Sequence, residues 1–181
     1  MFRGRMSNIS DSPAELERTG SIRDVGSQAK VYAARLRLQN AIDQADALDA
    51  IREIAGNLIG TEEVAVYKVD KKRSELWLYW AFGVDPNKHS VLLLGREPKL
   101  KQALKGKSVY RLKLSNENLL STDDPVNALV PILVDGAPAA VIVLFRLFPH
   151  KPGIEPVDRE ICDVLSNCAG RAVEPYHSRQ G

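Results

Sequence analysis

The hydrophobic positions change period along the chain, and those changes divide it into elements. Val31, Ala34, Leu38, Ala41, Ala45 and Leu48 recur at alternating steps of three and four, a helical stripe of coiled-coil type. Leu48, Ile51, Ala55 and Leu58 keep that spacing up to Gly60, which is placed as the left-handed residue that ends a helix. The pattern predicts a helix over 27–59, continuing or restarting after Asp46, with Ser27 or Asp24 as its cap. Period two then takes over. Glu63 to Val69 and Glu75 to Phe82 read as a hairpin around the charged turn 70–74. In its second strand Leu76, Leu78 and Trp80 alternate with Trp77, Tyr79 and Ala81, so one face should meet the core and the other a helix or a partner.

The strongest local signal is 126–148, VNALVPILVDGAPAAVIVLFRLF, two aliphatic and β-branched runs joined at Asp135-Gly136, which predicts a hairpin. Its second run, Ala139 to Phe145, is apolar on both alternating faces. That strand therefore belongs inside a sheet, with helical cover on each side. Between the hairpins, Ser90 to Leu94 is a short apolar run, Pro98 to Leu104 suits one or two helical turns, and Ser108 to Leu112 returns to strand. A polar loop, 115–125, follows. After the break at 150–153, Val157, Ile161, Val164, Leu165, Cys168, Ala169, Ala172 and Val173 make a last helix with a wide apolar face, ended by Pro175. Residues 1–26 hold few large apolar groups and are interrupted by Pro13 and Gly20, which predicts a flexible tail, with a short second tail at 178–181.

Composition narrows the class. With 181 residues and 44% hydrophobic content, one well-buried domain over 27–177 is expected. A net charge of +2 gives no global reason for nucleic acid or an anionic membrane as partner. No apolar run approaches a membrane span, and the start lacks the apolar core of a secretory signal, so a cytoplasmic protein without membrane insertion is expected. The two cysteines, Cys162 and Cys168, are six residues apart on one helix, roughly 9 Å along its axis. That excludes an unstrained disulfide and lacks zinc spacing, and it reads as core or interface packing in a reducing compartment.

Taken together, ALDAIREIAGNLIGTEEVAVYKVD, the Phe82-Gly83 pair closing the second strand, NALVPILVDGAPAAVIVLF and the closing EPVDREICDVLSNCAGRAV resemble the GAF domain. This is a family of small-ligand sensor and dimerisation modules common in bacterial signalling proteins. The likeness covers about 45–176 and implies an α+β fold: a central antiparallel sheet of GAF/PAS type flanked by N- and C-terminal helices that form a dimerisation bundle. GAF is favoured over PAS because the helix order differs.

The family's subgroups carry over only in part. The cyclic-nucleotide subgroup is marked by an Asn-Lys pair, a Phe, and an Asp-Glu at the last helix. The corresponding stretch here has no Asn, Ile154 for the Phe and Arg159 for the Glu, and Asn87-Lys88 lies elsewhere. Bilin-binding members need a Cys or a His-rich pocket in the middle segment, and GAF-type methionine sulfoxide reductases need cysteines in loops around the pocket; neither set is present there. The resemblance therefore implies a non-enzymatic regulatory module with no cofactor. A small reductase-like enzyme and a purely structural dimer with a filled pocket remain as alternatives. With no kinase, cyclase or DNA-binding segment in view, the module would act on a signalling partner in trans.

Arg96, Lys99, Lys101, Lys105, Lys107, Arg111 and Lys113 set seven cations against one acid, Glu97, in eighteen residues. The first six are candidates for an anionic small-molecule site or an acidic-partner patch; the alternative is a solvated face. No Gly-rich phosphate loop or aromatic interleaving for nucleic acid accompanies them. His89, His150 and His177 have no metal spacing and no pairing legible from the sequence, so neither a metal nor a catalytic residue is assigned. The surplus apolar surface of the terminal helices predicts a homodimer through Val31, Leu38, Ile42, Ile161, Val164 and Cys168; the alternative is a first helix that packs back on its own domain.

Overall fold

The computed structural model describes residues 13–111 and 117–174, with side chains from Asp24 onward. The elements are α1 (Pro13–Gln39), α2 (Gln44–Ile54) with a closing π-turn, β1 (Val64–Asp70), β2 (Glu75–Phe82), β3 (Val91–Leu93), α3 (Pro98–Ala103), β4 (Val109–Tyr110), β5 (Ala128–Val134), β6 (Ala137–Leu144) and α4 (Pro156–Cys168). The strands form one antiparallel six-stranded sheet in the order β3-β2-β1-β6-β5-β4. β6 is internal, and its residues from Ala140 to Leu144, with Phe145 beyond, are fully buried.

Alternation along the central strands sorts the core into two layers. Val64 and Val66, Val130 and Ile132, Ala140 and Ile142 face α1, α2 and α4. Ala65 and Tyr67, Leu129, Val141, Val143 and Phe145 face the other way, toward α3 and the segment 117–126. Among the described residues, one face is thus covered by three helices and the other by a single six-residue helix and irregular chain. Asp135 and Gly136 make the β5–β6 turn with positive φ of 51° and 78°, the geometry a two-residue hairpin of this twist requires.

Three expectations need correction. Helix begins at Pro13 and not at 27, because Pro is tolerated in a first turn and a glycine inside a helix costs only about 1 kcal/mol. Of the two courses open for 27–59, a restart is the one seen, and it comes before Asp46: the chain breaks at 40–43, where Asp43 adopts extended backbone and its side chain accepts from Asp46 N–H at 2.8 Å, starting α2; Asp24 and Ser27, offered as caps, lie inside α1. The strand expected over 108–112 is only Val109–Tyr110, and Leu112 lies outside the described residues.

The α1–α2 elbow is held by charge. The Arg37 guanidinium donates to Glu53 at 2.6 Å and to Asp46 at 2.7 Å, while Ile42 N–H donates to Asp46 at 2.9 Å. The Ile42 amide first, then Arg37, holds the Asp46 carboxyl below its ordinary range; Arg37 does the same for Glu53. Depressed carboxylates stabilise the fold above their unfolded pKa, and that contribution is lost as pH falls through the folded value. Arg37→Met should therefore lower the urea midpoint at neutral pH, and the difference from wild type should shrink as pH falls below about 4, where both carboxylates protonate.

Gly83, just after β2, has φ of +75°, and a Cβ there would lie 2.0 Å from the Glu62 carbonyl oxygen. Gly83→Ala should cost more than about 2 kcal/mol in urea unfolding, whereas Gly95→Ala, with nothing within 4 Å of the added carbon, should stay within about 0.5 kcal/mol.

Candidate functional site

Polar chemistry gathers in two places, the roof over the thinly covered face of the sheet and the rim at β4. The roof is built around β1. Tyr67 projects from it into the roof layer and donates its hydroxyl to the His89 carbonyl at 2.7 Å; burial pushes the phenol's pKa up. The His89 ring is buried, lies 5.1 Å from the Phe145 ring, and places Nε2 2.7 Å from Asp124 Oδ2. An ionised carboxylate only accepts, so Nε2 carries the proton toward Asp124. The other nitrogen, Nδ1, is buried without a hydrogen-bond partner.

Two further side chains pin 117–126. Glu97, buried just before α3, accepts from Ser121 N–H with both oxygens, at 3.1 and 3.0 Å. Asn118 donates to the Thr122 and Asp124 carbonyls at 2.8 Å each and accepts from Val126 N–H at 2.7 Å. A segment without regular structure satisfies its backbone this way. Beneath it, Leu76, Leu92, Leu100, Leu119, Leu120 and Leu129 are buried and fill the layer. The His89–Asp124 pair spans 35 residues, so no local spacing signals it; a histidine beside an apolar run and an acid before Pro125 were the traces it left in the sequence.

The basic residues are spread over several short elements. Arg96 ends the short 3-10 turn before α3, Lys99 and Lys101 lie on α3, and Arg111 follows β4. Lys105 and Lys107 turn toward the β4 rim, where with Gln102, Ser108, Val109 and Tyr110 they line a cavity of about 420 Å³. Lys113 lies outside the described residues, as does His177.

The proposed dimer residues also part company. Leu38, Ile161 and Val164 are buried in the chain's own core, because α1 packs back along α4; they have no surface left for a second copy. Val31 and Cys168 are half-buried beside the α1–α4 groove, and Ile42 is 83% exposed at the elbow. Cys162 is buried on the helix side of the sheet, its thiol pushed up to about 12 by burial and then by Asp158. Among the described residues, no three metal-ligating side chains converge, and no helix is long and apolar enough to cross a membrane.

No protein-family model matches the sequence, and no curated protein matches it either. Solved structures do match. The chain is similar to the GAF domain of a phosphoenolpyruvate-protein phosphotransferase from Coxiella burnetii, with a TM-score of 0.62 and 12% identity over 80% of this chain and 91% of that one. It is similar to a GAF domain/HD domain protein from Geobacter sulfurreducens, with a TM-score of 0.53 and 19% identity over 75% and 95%. It is also similar to a free methionine-R-sulfoxide reductase from Neisseria meningitidis, solved with its substrate, with a TM-score of 0.56 and 16% identity over 81% and 89%. The domain has the GAF fold, an α+β sheet with flanking helices. At these identities the likeness establishes fold alone, and that fold serves both regulatory domains and an enzyme.

Removing the Asp124 carboxylate leaves both nitrogens of a buried imidazole without a partner. Asp124→Ala should cost about 1 to 3 kcal/mol in urea unfolding, while Asp124→Asn, which keeps an acceptor oxygen, should lose clearly less.

Proposed function

We propose that this chain is a non-enzymatic regulatory module of GAF type, a homodimer that takes up a small anionic ligand and passes its state to a partner protein in trans. The observation that carries the reading is a second apolar stripe on α1. Ala34, Leu38 and Ala41 are spent on the chain's own core, yet Val25, Tyr32 and Leu36 remain 63%, 65% and 41% exposed. Their spacing of seven and four residues puts them on one face of the helix. A second copy of α1 across a two-fold axis covers this stripe without disturbing the domain.

Against a thiol-based reductase reading stands the placement of the cysteines. A thiol-based reduction needs a thiolate, and the chain's two cysteines are both on α4, across the sheet from the roof. The packing beneath the roof favours one further reading, a structural dimer that holds no ligand there. The two readings differ in whether a ligand binds and agree on the dimer.

Sedimentation equilibrium tests the dimer. The wild type should sediment as a dimer, and Tyr32→Glu with Leu36→Glu should weaken association by at least about a hundredfold, since each change buries a charge in an apolar seam, while leaving the far-UV circular dichroism unchanged. A monomeric wild type overturns the proposal.

A further inference from the structure

The cationic residues at the sheet edge open onto a second cavity that the basic segment alone did not foretell. Around the short edge strand β4, the roof-side cavity bearing Lys105 and Lys107 shares Lys107, Ser108 and Tyr110 with a helix-side cavity of about 440 Å³. Each volume lies in the ordinary range for a small ligand. The second is completed by α4, which contributes Arg159, Asp163, Ser166 and Asn167. Counting both, Lys105, Lys107 and Arg159 face one carboxylate, Asp163.

Arg159 is the residue that gives the place its chemistry. Its guanidinium carbon lies 5.6 Å from the centre of the Tyr110 ring, over the aromatic face, a cation–π contact that draws the guanidinium to this rim before anything binds. A guanidinium offers two things at once: N–H donors at its edge for an oxyanion, and a planar face on which a ring can stack. Lys107 supplies a second positive charge and the Ser108 and Ser166 hydroxyls are neutral groups of the same lining, while the Asn167 amide nitrogen already donates to the Asp163 carbonyl at 2.8 Å. A bare inorganic anion would use only the edge of this arrangement.

The geometry points to a binding site around the β4 edge for a small carboxylate or phosphate that carries a flat ring, the anion held by Lys107 and Arg159 and the ring stacked on the Arg159–Tyr110 pair. This deepens the regulatory reading, on which its biological meaning rests, by naming the ligand class and moving the ligand away from the packed roof layer. The place suits regulation. Asp163 and Asn167 line this cavity and also the groove where Val31 and Arg35 of α1 meet α4. A ligand that reorders those two side chains touches the seat of α1.

The test is a titration of the isotope-labelled protein with phenyl phosphate, benzoate, inorganic phosphate and phenol, followed by amide chemical shifts, with the oligomeric state measured on the same samples. Phenyl phosphate or benzoate should shift amides in 105–110 and 159–167, and should bind about tenfold more tightly than either inorganic phosphate or phenol. The tighter of the two ring-bearing probes names the anion as phosphate or carboxylate. Arg159→Gln and the exposed Lys107→Glu should each weaken binding about tenfold with the rest of the spectrum unchanged, so neither result depends on a variant that fails to fold. Shifts confined to the roof around His89 and Asp124, equal affinity for inorganic phosphate and phenyl phosphate, or no shift with any probe would overturn the assignment. A dimer that binds none of them refutes this site and leaves the dimer proposal standing; a monomer that binds phenyl phosphate or benzoate at 105–110 and 159–167 does the reverse.

Discussion

The constraint on which the rest depends is that β6 has no wet side. Five consecutive strand residues, Ala140 to Leu144, and Phe145 after them are fully buried, so each face of the sheet must be covered by something. Burying a side chain of this kind contributes about 1.5 to 3 kcal/mol, and forfeiting it along a whole strand would exceed the net stability of an ordinary domain. From this follow the placement of α2 and α4 on one face, the packing of α1 onto α4, and the need for a roof on the other.

The two faces solve the same problem differently. The helix side uses regular elements whose backbones are satisfied internally, with Asp158 at the start of α4 accepting from Glu155 N–H at 2.7 Å and from Lys151 at 2.9 Å. Among the described residues, the roof's one α-helix is α3. The remaining cover is chain without regular structure, and it is held down by buried polar side chains: His89 on Asp124, Glu97 on Ser121, Asn118 on its own loop. Such anchors cost desolvation when formed and more when broken, which makes the roof the part of the domain most sensitive to single polar substitutions.

This difference also decided what could be read in advance. Hairpins, the buried status of β6 and the last helix follow from periodicity and turn residues, which are local, and the GAF resemblance rested on them. The roof's anchors are not local: nothing in the neighbourhood of His89 points to an acid in another loop. Leu38, Ile161 and Val164 were misread as dimer contacts because an apolar stripe tells that a helix is covered and not by what. Val25 and Tyr32 were passed over since the α1 stripe was drawn on one face only. Among the basic residues, charge density in the sequence marked the segment that holds Lys105 and Lys107, but Arg159, over fifty positions later, lines the same rim only through the fold.

α1 runs for eighteen residues ahead of Val31, the first of its described side chains that packs against the core. At 1.5 Å per residue that stretch is a rod of about 27 Å, and a pivot of about 10° at the seat would carry its far end roughly 5 Å. The helix would in this sense be a pointer whose needle is far longer than the movement that drives it: a change of about 10° made where Asp163 and Asn167 line the α1–α4 groove would become a displacement at Pro13 as large as the spacing between neighbouring strands.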